Sequence, residues 1–131
     1  FCSDDSPLDG LIALMAPAIA MGNRVTLVAS EPFPLAATDF YQVLETSDVP
    51  GGVVNILTGS HAELAPQVSA HNDIDAVWSH SSTDLSAGIE RAAAGNLKRT
   101  WVNHCKGIPL AETAVLEAAT ETKTVWIPYG E

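Results

Sequence analysis

Three short polar stretches combine residue types that hold anions or move protons. Ala29-Ser30-Glu31, Thr58-Gly59-Ser60 and Ser79 to Thr83 each follow an apolar, β-branched run. Ser81, Ser82 and Thr83 carry hydroxyls which, with the free amides of a helix start, can cradle a phosphate. The same hydroxyls are good helix caps, and capping alone accounts for them. Asn103-His104-Cys105-Lys106 sets an imidazole beside a thiol. Adjacent residues on a strand point to opposite faces, which places the pair poorly for a Cys-His nucleophile. Asp4, Asp5 and Asp9 crowd the amino end, where acidic groups favour a helix start. His61, His71, His80 and His104 form neither HExxH nor an i, i+4 pair, so no metal site is expected. GxGxxG, GKS or GKT, and GxSxG are all missing, which removes the standard dinucleotide loop, the P-loop and the nucleophile elbow.

The elements that must position these residues follow from period and punctuation. Pro7 to Met21 reads as a helix, Pro at its start and Gly22-Asn23 at its end. Strands are expected at Val25 to Val28, Val53 to Leu57, Ile74 to Trp78, Thr100 to Val102 and Thr124 to Ile127. Helices are expected at Leu35 to Leu44, from Gly59-Ser60 to about Ala70, at Thr83 to Ala94 and at Leu110 to Ala119. Phe1-Cys2-Ser3 resembles the tail of a strand that starts upstream. Runs such as VTLV and VVNIL read as near-continuous apolar runs, as expected of strands buried on both faces. Strict helix–strand alternation then gives an α/β fold: a three-layer Rossmann-like domain over residues 1–131, with a mostly parallel sheet of about five strands. Ligands of such sheets gather at the carboxyl ends of the strands.

The stretch PLDGLIALMAPAIAMGNRVTLVASEPFPLAA, followed by VPGGVVNILTG, HNDIDAVWSHSSTD and NLKR, resembles the cofactor domain of the aldehyde dehydrogenase superfamily in order and spacing over residues 3 to 99. The resemblance implies a Rossmann variant that places NAD or NADP at the strand ends without a GxGxxG loop. It assigns Ser30, Glu31 and Ser82 to cofactor binding, Glu31 as half of a ribose clamp whose lysine is Val28 here, and Ser82 toward the pyrophosphate. Ser81 stands where the family has glycine. Asp5 falls at the oxyanion-donor position, where a carboxylate opposes a developing oxyanion. Asn103 falls at the general-base position and cannot take a proton at neutral pH. The family's nucleophilic cysteine lies some 30 residues further on, in another domain. Neither Cys2 nor Cys105 matches it. The ending, through TKTVWIPYGE, resembles the degenerate second copy in the long, two-copy members of the family 16 type.

The expected function is therefore that of a partial, non-catalytic chain serving structure or assembly in a longer, homo-oligomeric dehydrogenase. Two alternatives remain open. One is the cofactor module of an active NAD(P)-dependent aldehyde dehydrogenase whose catalytic domain lies elsewhere, and the other is a flavodoxin-like binding module that shares only the fold. Composition narrows the partners. The 131 residues carry 6 Lys and Arg against 16 Asp and Glu, a net charge of −10 that repels nucleic acid and anionic lipid. The longest greasy stretch, Leu11 to Met21, is about half of the roughly 20 residues a membrane span needs. Two distant cysteines without CxxC spacing fit reduced thiols and a cytoplasmic location.

Overall fold

The computed structural model describes residues 1–104 and 113–129. Helix α1 (Pro7–Ala20) is followed by strand β1 (Val25–Val28), α2 (Pro34–Glu45), β2 (Val54–Leu57), α3 (His61–Ala70), β3 (Ala76–Ser79), α4 (Thr83–Ala93), a 3-10 turn (Ala94–Asn96), β4 (Arg99–Val102) and α5 (Thr113–Ala118). Proline fixes φ at the first turn of α1 and α2, where its missing N–H has no intrahelical partner to lose. Gly22 ends α1 with φ of 82°, a left-handed conformation open to glycine at little cost.

β1 pairs in parallel with β2, Val25 opposite Val54 and Val28 opposite Leu57. β3 pairs in parallel with β4, Ala76 opposite Arg99 and Ser79 opposite Val102. Among the described residues the strands thus form two two-stranded sheets and not one sheet of about five. Two expected contributors explain the difference. Phe1–Cys2 is only two residues long, although its backbone bonds to both sheets: Cys2 N–H donates to the Val28 carbonyl at 2.9 Å, and His80 N–H to the Phe1 carbonyl at 3.0 Å. Thr124 to Ile127 has strand-like residue types but forms no strand, and Trp126 is 90% exposed. β-propensity without a neighbouring edge makes no ladder. The expected start of the last helix at Leu110 lies outside the described residues.

Side chains leave the strands alternately toward two apolar clusters. Cys2, Leu27 and Ala29 join Leu11, Leu14 and Met15 of α1, with Ala37 and Leu44 of α2. Phe1, Val28 and Val77 join Ala65 of α3 and Ile89 of α4. Helices therefore cover both faces, α1 and α2 on one and α3 and α4 on the other, and α5 packs on α1. Asn23 fixes α5 there, its side-chain amide donating to the carbonyls of Ala18 and Ala119 at 3.0 and 2.8 Å. No helix among the described residues is long and apolar enough to cross a membrane.

Candidate functional site

Parallel pairing sends the chain out of β1, β2 and β3 along one edge, and the polar stretches follow those exits. After β1, the Ser30 hydroxyl donates to Asp4 Oδ1 at 2.9 Å and the Glu31 N–H donates to the same oxygen at 3.1 Å. After β2, the His61 N–H, at the start of α3, donates to Glu31 Oε2 at 2.9 Å. A carboxylate there meets the free amides and positive end of the helix. His61 Nε2 lies 2.6 Å from the Ala29 carbonyl oxygen. A carbonyl only accepts, so Nε2 carries the proton. The Phe1 ring packs edge-on against this imidazole with centroids 5.5 Å apart. Asp4, Ser30, Glu31 and His61 thus form one continuous polar network across two strand exits.

The exit of β3 is wired separately. Ser79 Oγ and Ser81 Oγ lie 2.5 Å apart, one hydroxyl donating to the other. Ser82 is the N-cap of α4 and its Oγ accepts from the Leu85 N–H at 3.3 Å. Its hydroxyl is spent on the helix. Ser82→Ala is expected to cost about 1 kcal/mol by the usual value of a cap, read as a lower urea midpoint at unchanged slope. An unchanged midpoint would remove the capping role. Between these serines His80 is 2% exposed, its ring set edge-on to Trp101 at 5.9 Å, and neither ring nitrogen has a hydrogen-bond partner among the described residues. Burial, and secondarily the ammonium of Phe1, push its pKa down to about 4.

Several expectations change. Asp4 does not serve the start of α1: its carboxylate is held by Ser30 and Glu31, because Ser30 emerges buried from β1 directly opposite it, and only Asp9 lies in the first turn of the helix. Asp5, expected at the family's oxyanion-donor position, is exposed in a bend, its N–H bonded to Ser3 Oγ at 3.2 Å. Asn103, expected at the family's general-base position, is half-buried just beyond β4 and its N–H donates to the Ser79 carbonyl at 3.1 Å. The expectation for Cys105 lies outside the described residues. Cys2 is a free, buried thiol whose pKa burial pushes up, so it is poorly disposed to act as a thiolate. Among the described residues no three metal-ligating side chains converge. Asp4, His61 and His80 are the site residues that sequence reasoning missed as a group. The only signal for them was position, an Asp or His within four residues of a strand exit.

The edge formed by residues 3–5, 29–31, 58–61 and 79–83 contains three carboxylates and no lysine or arginine. A pyrophosphate approaching it meets fixed negative charge, and Glu31 already neutralises the amino end of α3. The residues present do not fit an anionic dinucleotide well.

The sequence matches a family described as "Aldehyde dehydrogenase family" over residues 5–105. It is 32% identical to the NADP/NAD-dependent aldehyde dehydrogenase PuuC of Escherichia coli (strain K12) over 121 residues, covering 89% of this chain and 24% of that protein. To an aldehyde dehydrogenase of Alternaria alternata it is 38% identical over 117 residues, covering 88% of this chain and 23% of the other. The fold superimposes on the crystal structure of an aldehyde dehydrogenase from Bartonella henselae with a TM-score of 0.73 and 29% identity, over 76% of this chain and 21% of that one. The chain spans about a quarter of the length of the curated relatives it matches.

Proposed function

Because the chain belongs to the aldehyde dehydrogenase family, we propose that it is a cofactor-type domain of a longer dehydrogenase chain, serving assembly and stability there and not catalysis. It is a degenerate second copy of the family 16 type, and the longer chain is homo-oligomeric. The observation that carries this reading is the commitment of Glu31, whose Oε2 accepts from the His61 N–H at the amino end of α3. Asp5, Val28 and Asn103 agree with it, standing at the positions of the family's oxyanion donor, ribose lysine and general base. Losing one charged ribose contact costs roughly 1–3 kcal/mol, about tenfold to a hundredfold in affinity.

Ser30, Glu31 and Ser82 are retained, and this favours the second reading, a cofactor module of an active NAD(P)-dependent enzyme completed by a catalytic domain elsewhere. Calorimetric titration with NAD, NADH and NADP separates the two. No heat of binding is expected up to millimolar cofactor. Submillimolar binding that disappears in Glu31→Ala would replace the structural reading with the cofactor-module one.

A further inference from the structure

Ser30 and Glu31, the two residues at the exit of β1 that match the family's cofactor contacts, are both engaged by one side chain to which the family pattern gives no such role. Asp4 Oδ1 accepts from the Ser30 hydroxyl at 2.9 Å and from the Glu31 N–H at 3.1 Å. The backbone carries Asp4 to this place. Cys2 N–H donates to the Val28 carbonyl at 2.9 Å, so the residues after Cys2 run beside the exit of β1. A bend from Asp4 to Ser6 then turns the chain into α1, with the Asp5 N–H on Ser3 Oγ at 3.2 Å and a proline in the first helical turn. Asp4 stays exposed at the rim, whereas Ser30 beside it is 2% exposed.

A hydroxyl and an amide thus converge on one carboxylate oxygen, and both are groups that hold anions. A hydroxyl has a single proton to donate, and Ser30 gives it to Asp4. Bonds to an ionised acceptor are the strong ones, so a ligand oxygen gains these two donors only by displacing Asp4. Its charge is a second obstacle, since a pyrophosphate brought to this exit is repelled by it. Holding the Glu31 amide also fixes where the Glu31 side chain starts, and from there its Oε2 reaches the His61 N–H at 2.9 Å. We propose that Asp4 is the residue that closes this edge to NAD and NADP, by engaging Ser30 and Glu31 and by its charge.

The closure rests on the reading proposed above, in which Glu31 is committed within the fold, and it assigns that commitment to a single upstream side chain. The same two bonds tie the bend before α1 to the end of β1. Removing Asp4 therefore loosens the fold and opens the edge together. An Asp4 with a structural role alone would show only the first effect.

The test titrates NADH, followed by its fluorescence, into the parent chain and into Asp4→Ala and Asp4→Asn, each first shown to be folded by circular dichroism. Asp4→Ala is expected to bind roughly tenfold more tightly than the parent or better, equivalent to about 1.4 kcal/mol, and to unfold at a lower urea midpoint. Asp4→Asn keeps an acceptor for Ser30 and Glu31 and loses the charge. It is expected to hold the parent's midpoint more closely and still to bind more tightly than the parent, which preserves the test where the alanine variant does not fold. Lower stability with NADH affinity unchanged overturns the proposal and leaves Asp4 a structural residue. Folded variants that, like the parent, show no binding up to millimolar NADH overturn it equally. The parent's own titration judges the earlier reading separately: submillimolar binding there removes that reading, while the closure is decided by the ratio of variant to parent affinity.

Discussion

Lowering the pH from 7 to 4.5 is expected to cost the fold on the order of 2–3 kcal/mol through one side chain, His80. Its ring is buried against Trp101 with no partner for either nitrogen among the described residues, and its pKa is lowered from 6.5 to about 4. The unfolded chain takes up a proton on this group below about pH 6.5, while the folded chain refuses it down to about pH 4. Protons therefore favour the unfolded state throughout that window, and stability falls as the pH falls through it. Above pH 6.5 the group is neutral in both states and contributes no slope. His80→Leu keeps the apolar contact with Trp101 and removes the titration. The stability difference between the variant and the parent, from urea midpoints at pH 7, 5.5 and 4.5, is expected to widen steadily in the variant's favour. A parallel decline in both proteins would show that His80 is not the responsible group.

Leu11→Ala is the second large effect. Leu11 is 0% exposed in the middle of α1, surrounded by Cys2, Leu14, Met15 and Leu27, so truncation leaves a void the helix cannot close. The usual cost of such a change is roughly 2–5 kcal/mol. Set against the roughly 5–15 kcal/mol that holds a domain together, this is a large fraction of the whole. Leu35→Ala, at a position 71% exposed on α2, is the matched control and is expected to stay within about 0.5 kcal/mol. Chemical denaturation of both measures the contrast, and similar losses would refute the central place given to α1.

Much of this fold is legible in residue order. β1 falls at the expected Val25–Val28, and α2, β2, α3 and α4 lie within a residue or two of where apolar period and Pro or Gly punctuation put them. These signals are local, because each strand carries its own β-branched run and each helix its own stop. What the chain does not spell out is non-local. Thr124–Ile127 has the composition of a strand, but the ladder needs an edge that no local feature supplies. Phe1–Cys2 shows the converse, since two residues too few to read as a strand connect both sheets because of what lies on either side. At the site, Ser82 as a cap follows from its place before a helix, whereas the Asp4–Ser30 and Glu31–His61 bonds join residues 26 and 30 positions apart. The family pattern marks Ser30 and Glu31 as cofactor contacts, and only the fold reveals that Asp4 and the amino end of α3 already hold them.

The alternation that sends Phe1 into one apolar cluster and Cys2 into the other also bears on cooperativity. Two sheets with separate strand ladders are units able to open one at a time, and the free energy between partial and complete unfolding is set by what couples them. Here the coupling runs through two neighbouring residues, each anchored in a different cluster and bonded to a different sheet, together with Val28 of β1 reaching across to α3 and α4. Loosening Phe1 and Cys2 would therefore do more than weaken two small patches of core. It would turn a single all-or-none transition into two, and probes on opposite faces, such as Leu27 and Val77, would report different midpoints.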